Sequence, residues 1–216
     1  ADRDNKARIS RFPDSDIIES FCLGHSEFVS CLCFVSSDGF LLATGSGDGT
    51  IRLWETLTGK QLSVFDESED EKPALTWSLV CDQARDIVYC LVHNRPCLLA
   101  FHEVAASKSL KKRYSFDLGR VPRSIALLDS TTVLISFSGQ EPCTRVLRVA
   151  TRAGELSFVD CSDEFLYLKD DLKPKNDETK DFEDREVFDT EKSLIQMYKR
   201  EMSETWRGKK KRPHFH

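Results

Sequence analysis

Short apolar runs separated by turn residues recur along the first 160 positions of the chain. Residues 41–44 and 50–54 have the pattern of strands, and the glycine-rich residues 45–49 between them suit a tight turn with positive φ. Further strands are predicted at 86–92, 97–102, 123–128, 132–137 and 145–149, with turns at 93–95 and 138–140. No helical period interrupts these runs, so the pattern predicts an all-β fold.

The sequence also repeats itself. Residues 4–10 align with residues 48–54, and Phe21 falls in register with Phe65. The offset between Asp4 and Asp48 lies within the roughly 40–45 residues of one β-propeller blade, and two fainter units follow. Since a ring needs about four to eight blades and these units supply somewhat over three, we expect a partial propeller. It would open at the turn in the middle of a blade, with further blades upstream.

The first complete repeat carries a specific set of polar residues: Gly24, His25, Thr44, Asp48, Trp54 and Glu55. This set resembles the WD-repeat family, in which a His, a Ser/Thr, an Asp and a Trp form a hydrogen-bonded chain. A buried carboxylate must be satisfied, so we expect an imidazole N–H of His25 to donate to Asp48 while the Thr44 hydroxyl orients the ring. Trp54 completes the network, and Glu55 stands where the family usually has Asp.

A catalytic Ser-His-Asp arrangement is the alternative interpretation of these residues, but the chain has no nucleophile-elbow motif. The turn at 45–49 lies between two strands and does not open a helix, so it is not a phosphate-binding loop. Trp77, in the first strand of the next unit, is expected in the core rather than in a ligand site. The residues therefore predict a structural network and no catalytic site.

Composition limits the remaining classes. With 216 residues, 40% of them hydrophobic, the chain can bury the core of one domain and a small second one. The eight cysteines fall mostly in strand-like runs without paired Cys-x-x-Cys spacing, and the five histidines are dispersed. We therefore expect reduced thiols and no metal site. The apolar runs are too short to span a bilayer, and no apolar N-terminal signal is present, so no membrane partner is expected.

Three segments near the start, residues 2–10, 18–25 and 27–30, are more specific than generic WD sequence. They resemble the family of WD-repeat proteins that serve as the non-catalytic subunit of tRNA (guanine-N7)-methyltransferases. The likeness is dense over about thirty residues and looser over residues 46–55 and the lysine-rich end. From residue 66 to 162 it is one of strand layout only.

The resemblance implies a division of labour between two subunits of a heterodimer. A separate Rossmann-like subunit would bind S-adenosylmethionine and methylate a guanine N7 in the tRNA variable loop, while this chain, without a cofactor, would hold that subunit in an active shape. The family pattern implies Arg8 as a partner contact, with Lys6 as a second contact and Asp4 as the residue that orients Arg8. It also implies the C-terminal three to four blades of a seven-bladed ring, and a location in the nucleus, with the cytoplasm as a second one.

Other interpretations stay open at this point. Arg8 is alternatively plain strand surface, since Arg52 holds the same position in the next repeat. The whole chain is alternatively a WD-repeat adaptor that presents substrates to a ubiquitin ligase or another assembly. An enzyme would need a glycine-rich cofactor loop after a strand, and the sequence has none.

A charged tail follows the propeller, which is assigned to residues 1–160. Residues 161–187 are acidic and predicted to be disordered, because they cannot bury enough apolar surface to fold alone. Residues 188–206 predict an amphipathic helix that packs either on the propeller or against the partner subunit and bound tRNA. Residues 207–216 form a basic tail suited to nuclear import, to RNA phosphate contacts or to both, through Lys209, Lys210, Lys211 and Arg212. A second basic cluster is expected to be a solvated loop: Lys108, Lys111, Lys112 and Arg113.

Overall fold

A computed structural model describes residues 4–66, 75–138, 143–152 and 155–165 of the chain. The chain divides into one unit at Ala1–Lys173 and another at Pro174–His216, and the second unit lies outside the described residues. The predictions for residues 188–206 and 207–216, most of 161–187 and the turn beyond Ser138 also lie outside them.

Strands dominate the described part of the chain. They are β1 (Lys6–Ser10), β2 (Ile18–Leu23), β3 (Val29–Phe34), β4 (Leu41–Ser46), β5 (Thr50–Glu55), β6 (Lys60–Asp66), β7 (Thr76–Asp82), β8 (Ile87–Val92), β9 (Cys97–His102), β10 (Arg113–Asp117), β11 (Pro122–Asp129), β12 (Thr132–Phe137), β13 (Thr144–Arg152) and β14 (Glu155–Asp160). Each predicted strand coincides with one of these, apart from Asp86, which lies in the turn before β8 with a φ of 56°. The all-β prediction is confirmed.

The strands form three four-stranded antiparallel sheets and one two-stranded sheet. We call β3–β6 the first blade, β7–β10 the second blade, β11–β14 the third blade, and β1–β2 the leading pair. Within each blade consecutive strands are neighbours, and the edge strands β3, β7 and β11 contact one another from blade to blade. The edge formed by β3, β7 and β11 is therefore the inner edge of the array.

Apolar residues on both faces of the central strands make up the core. All six residues of β8 are buried, and their side chains alternate between the two faces of the second blade. Val88 and Cys90 pack with Ile51 and Leu53 of the first blade, whereas Tyr89 packs with residues of the third blade that include Ile135. The central strands thus lack polar alternation because a neighbouring blade covers each face.

The structure contains a helix that the sequence pattern did not predict. Helix α1, Val104–Ser107, lies between β9 and β10 and is too short to produce a helical period. The side chain of Asp86, distant in sequence, accepts hydrogen bonds from the N–H groups of Ala105 (2.6 Å) and Ala106 (2.9 Å). The prediction of uninterrupted strands is therefore wrong here. Asp86, a residue distant in sequence, satisfies the N-terminal N–H groups of α1, so no capping residue next to the helix signals its start.

The predicted solvated basic loop is only partly a loop. Lys108 ends α1 in a left-handed conformation, and Arg113 is the first residue of β10. Lys111 and Lys112 are exposed between them, and the Lys112 ammonium pairs with Glu103 at 2.6 Å.

The predicted register of Phe21 with Phe65 is wrong by one residue. Arg8 faces Phe21 in the leading pair, whereas Ile51 faces Phe65 in the first blade. Since Arg8 is equivalent to Arg52, which faces Val64, the equivalent of Phe21 is Val64. The shift arises because seven residues separate the pair Ser10 and Ile18, whereas six separate the equivalent pair Trp54 and Gln61.

Trp77 also differs from its prediction, because its side chain is 42% exposed and not part of the core. The pairing of β7 with β8 is irregular between Thr76 and Ser78, which leaves Trp77 out of the ladder. Its indole N–H donates to the Arg123 carbonyl of the third blade at 2.9 Å, and its ring lies 5.6 Å from that of His93.

Past β14 the chain forms a 3-10 turn at Ser162–Phe165. The Ser162 hydroxyl accepts a hydrogen bond from the N–H of Val146, and the Arg148 guanidinium pairs with Glu164 at 2.6 Å. These contacts attach residues 162–165, which lie within the segment predicted as acidic, to β13.

Candidate functional site: the WD network and the leading pair

The structure brings together the four residues predicted as a hydrogen-bonded network. The imidazole of His25 lies 3.0 Å from a carboxylate oxygen of Asp48 through Nδ1 and 2.8 Å from the Thr44 hydroxyl through Nε2. The indole N–H of Trp54 donates to the same Thr44 hydroxyl at 2.8 Å. A neutral imidazole with its proton on Nδ1 satisfies every partner, because Nε2 then accepts the Thr44 proton and Oγ1 of Thr44 accepts from Trp54.

Sequence reasoning missed two members of this network. The Ser26 N–H donates to the Asp48 carboxylate at 3.0 Å. Thr50 donates to its other oxygen twice, from the N–H at 2.9 Å and from the hydroxyl at 2.7 Å. The signal for Thr50 was present in the sequence, because an Asp two residues before a Thr across a glycine turn commonly accepts from that Thr.

These contacts decide the charge of Asp48. Burial alone would raise the pKa of this carboxyl group, but hydrogen bonds from His25, Thr50 and Ser26 outweigh it and hold the pKa well below its ordinary value. Asp48 is therefore a buried anion. The side chains of His25 and Asp48 are only 1% and 5% exposed.

The burial of the network also decides what it can do. The hydroxyl that contacts the imidazole Nε2 belongs to Thr44, which is fully buried. A substrate therefore cannot approach this hydroxyl as it would approach a catalytic serine. The network instead ties the loop before β3 to the central strands β4 and β5. Glu55, which stands in place of the usual Asp, accepts a hydrogen bond from Thr58 at 2.6 Å in the adjoining turn.

The leading pair has one buried face and one exposed face. Ala7 and Cys22 pack on Leu42 and Trp54 of the first blade. Because side chains alternate along a strand, Lys6 and Arg8 lie on the opposite face.

The three predicted partner-contact residues lie at the N-terminal end of the leading pair, with Lys6 and Arg8 on β1 and Asp4 just before it. The Lys6 ammonium pairs with the Asp4 carboxylate at 2.5 Å and lies 5.8 Å from the Phe21 ring centre. Arg8 is exposed directly opposite Phe21. In the first blade the equivalent pair, Asp48 and Arg52, is 3.9 Å apart. The orientation of Arg8 by Asp4 stays a prediction.

The cysteines are free thiols. Burial raises the pKa of Cys31 to about 11 and that of Cys81 to about 12, so both remain protonated at neutral pH. Within the described ranges no cluster of His, Cys, Asp or Glu side chains has the arrangement of a metal site. The same part of the chain has no helix that is both long and apolar enough to cross a membrane.

Four-stranded blades joined along their inner edge, with a buried His-Thr-Asp-Trp network in the first of them, define a WD-repeat β-propeller protein. The prediction of this fold class is confirmed, because solved WD-repeat structures superpose on the chain. Within this class, the chain belongs to the family described as "tRNA methyltransferase TRM82 WD40 domain", whose model matches residues 1–154.

Curated relatives carry names that agree with this family. The chain is 51% identical over 73 residues to the "tRNA (guanine-N(7)-)-methyltransferase non-catalytic subunit WDR4" of Mus musculus, a match that covers 34% of this chain and 18% of the relative. It is 46% identical over 76 residues to the Dictyostelium discoideum subunit of the same description, covering 35% of this chain and 16% of the relative. The match thus spans less than a fifth of each relative. The family resemblance is confirmed, and the relatives are named as non-catalytic, as predicted for this chain.

Two solved structures with the same fold have low sequence identity to this chain. A chain of the structure titled "Crystal Structure of Mitotic Checkpoint Complex" superposes with a TM-score of 0.57 at 15% identity, covering 73% of this chain and 46% of that one. The "Structure of U3-55K" gives a TM-score of 0.53 at 15% identity, covering 73% and 49%. At this identity the likeness shows the fold alone.

Proposed function

We propose that this chain acts within a tRNA (guanine-N7)-methyltransferase by binding the catalytic subunit and stabilising its active shape. The match of residues 1–154 to the family model is the observation that carries the proposal. In this scheme the two chains form a heterodimer. The partner binds S-adenosylmethionine and methylates N7 of a guanine in the tRNA variable loop, and this chain needs no cofactor.

Arg8 is the residue on which we expect the subunit contact to depend. It is exposed on β1, a strand whose other face is fixed by the packing of Ala7 on the first blade. A rigid strand loses little freedom on binding, and an arginine forms strong, directional hydrogen bonds with a carboxylate. Lys6, whose ammonium pairs with Asp4 at 2.5 Å beside the same strand, is the second expected contact.

Two parts of the proposal rest on sequence alone. We expect Lys209, Lys210, Lys211 and Arg212 to contact tRNA phosphates or to direct nuclear import. The protein is accordingly expected in the nucleus, with the cytoplasm as a second location.

The test is the affinity of the full-length protein for the catalytic subunit from the same genome. Arg8→Glu should weaken the complex by a factor of about 100 or more, because it places a carboxylate against the partner's acid and leaves that acid unpaired. Arg152→Glu, a charge reversal at an exposed residue of the third blade, should change the affinity by less than about threefold. Both affinities can be measured by biolayer interferometry.

Two results would count against the proposal, the first against the role of Arg8 and the second against the function itself. One is a complex that Arg8→Glu leaves as tight as the wild type, which would make Arg8 plain strand surface. The other is a pull-down from cells that recovers ubiquitin-ligase components and no methyltransferase, which would favour the adaptor function.

A further inference from the structure

The inner strands of the three blades share an irregularity near their first residues. In β3, β7 and β11 a shift in strand register leaves one residue out of the ladder: Ser30, Trp77 and Arg123, respectively. The Ser30 hydroxyl donates to the Thr76 carbonyl of the second blade. The Trp77 indole N–H donates to the Arg123 carbonyl of the third blade at 2.9 Å. This position therefore supplies a hydrogen bond that links one blade to the next.

A tryptophan is larger than this hydrogen bond requires, since Ser30 makes the equivalent bond with a hydroxyl. The ring of Trp77 remains 42% exposed, although the second and third blades, between which it lies, each have all four strands. Its exposure is therefore not that of a blade face without a neighbour. The bond to Arg123 and the His93 ring at 5.6 Å hold the indole in place. A rigid, exposed tryptophan loses little freedom when a partner binds it.

Two arginines converge beside this tryptophan. The guanidinium of Arg123 donates to the Ser138 hydroxyl at 3.2 Å, and that of Arg120 donates to the Ser138 carbonyl at 3.3 Å. Because both guanidinium groups contact the same residue, two positive charges lie close together. Val121, between them in sequence, is 47% exposed. The exposed ring of Trp77 thus adjoins a short segment that carries two cations and one apolar side chain.

We infer that Trp77, Arg120, Val121 and Arg123 form a docking site for an acidic segment of another protein. This tryptophan–arginine site goes beyond the proposed function and does not depend on it. Arginine forms strong, directional hydrogen bonds with carboxylates, and tryptophan and arginine are enriched among the residues that dominate protein interfaces. The site fits a segment that places carboxylates at the guanidinium groups and an apolar side chain against Trp77 and Val121.

The charges around the site favour a protein segment over RNA. The formal net charge of the chain is −5, which opposes the approach of a polyanion. The exposed Asp117 carboxylate, which accepts the Gly119 N–H at 2.8 Å, lies in the same connection as the two arginines. RNA carries a charge at every nucleotide and needs a continuous track of cations, which Asp117 interrupts. An acidic protein segment needs cations only where its carboxylates lie.

The test selects peptides of about twelve residues from a random phage-displayed library on the full-length protein. We expect the selected peptides to be rich in Asp and Glu around an apolar residue. Trp77→Ser should weaken their binding by a factor of about ten or more, and Arg123→Glu should do the same. Trp77→Phe, which keeps a ring, should stay within about threefold. Fluorescence anisotropy of labelled peptides measures these affinities.

Two controls separate binding from stability. Because Ser30 shows that a hydroxyl can make the bond between blades, Trp77→Ser should change the Tm by no more than about 3 °C. Leu57→Ser removes an apolar side chain that is 58% exposed in the turn between β5 and β6, and it should leave peptide affinity within about twofold. If Trp77→Ser unfolds, Arg123→Glu decides the test, because it reverses a charge and keeps the tryptophan.

Several results would overturn the inference. One is a selection without acidic peptides, and another is a set of peptides that Arg123→Glu and Trp77→Ser bind as tightly as the wild type. Single-stranded oligouridine that binds the wild type and not Trp77→Ser, without selection of acidic peptides, would assign the site to RNA. A wild-type dimer that Trp77→Ser converts to monomers would assign it to a second copy of the chain.

Discussion

Asp48 shows how one buried charge can organise the residues around it. Its two oxygens accept from His25, Ser26 and Thr50, which lie before β3 and at the start of β5. An ionised carboxylate in a protein interior is costly unless each oxygen has donors, and these contacts supply them. The loop before β3 is therefore fixed by the same residue that shapes the turn between β4 and β5.

We predict that Asp48→Ala lowers the free energy of unfolding by about 3 kcal/mol, because the buried imidazole of His25 loses its acceptor and the donors of Ser26 and Thr50 lose theirs. Urea unfolding of the two proteins measures this difference. Asp14→Ala, at an exposed loop residue, should cost less than about 0.5 kcal/mol.

The lowered pKa of Asp48 also predicts that the stability of the protein depends on pH. A carboxyl group whose pKa is lowered by folding stabilises the protein above its unfolded pKa of about 3.9, and that contribution is lost as the pH falls further. The stability gap between wild type and Asp48→Ala should be constant above about pH 5 and should narrow below about pH 4. Parallel stability curves down to about pH 2 would show that Asp48 does not titrate in this way.

Among the elements, the turn at residues 56–59 makes a close contact with β2 of the leading pair. The Ser20 hydroxyl of β2 donates to the Thr56 carbonyl of this turn. Gly59 has a φ of +69°, and a Cβ at this position would lie 2.2 Å from the Phe21 carbonyl oxygen. The residue must be glycine for two reasons, its backbone conformation and the close approach of β2.

We predict that Gly59→Ala destabilises the protein by at least about 1 kcal/mol more than Gly39→Ala. Gly39 is a matched control, because it has a similar φ of +75° but nothing within 4 Å of the added Cβ. The two variants therefore share the backbone strain and differ only in the clash. Hydrogen exchange should show faster exchange of the β2 amides in Gly59→Ala alone, and equal effects of the two variants would mean that β2 does not rest on this turn.

Strands were easier to predict than the details of their ends. The runs that became β4, β5, β8 and β12 are central strands, whose apolar residues stand out in the sequence because both faces are covered. Helix α1 was missed because its N-terminal N–H groups bond to Asp86, and the exposure of Trp77 was missed because a bulge sets it. Neither contact leaves a local pattern in the sequence.

Across the whole molecule, polar contacts as well as apolar packing join the blades. The guanidinium of Arg85 donates to the buried Asp82 carboxylate at 2.7 Å and to the Tyr89 hydroxyl at 3.2 Å within the second blade. It also donates to the Val149 carbonyl of the third blade at 2.8 Å. Arg85 therefore satisfies a buried acid and a strand carbonyl of the neighbouring blade with one side chain.

We predict that Arg85→Ala lowers the free energy of unfolding by about 3 kcal/mol, because the Asp82 carboxylate stays buried without its cation. Arg11→Ala breaks an exposed pair with Glu19 and should cost less than about 1 kcal/mol. Urea unfolding measures both. Equal losses in the two variants would mean that burial of Asp82 does not matter to the stability of the blades.

The sequence by itself determined the class of fold, the family and four members of the main network, since each leaves a local or periodic pattern: apolar runs, a blade-length repeat, and His25, Thr44, Asp48 and Trp54 at fixed places within one repeat. Only the tertiary structure decided which side chains face outward. The exposure of Trp77 depends on a strand bulge, and the position of Phe21 opposite Arg8 depends on strand pairing. Such contacts join residues that are distant in sequence, or they depend on a one-residue shift in strand register. Periodicity alone therefore cannot reveal them.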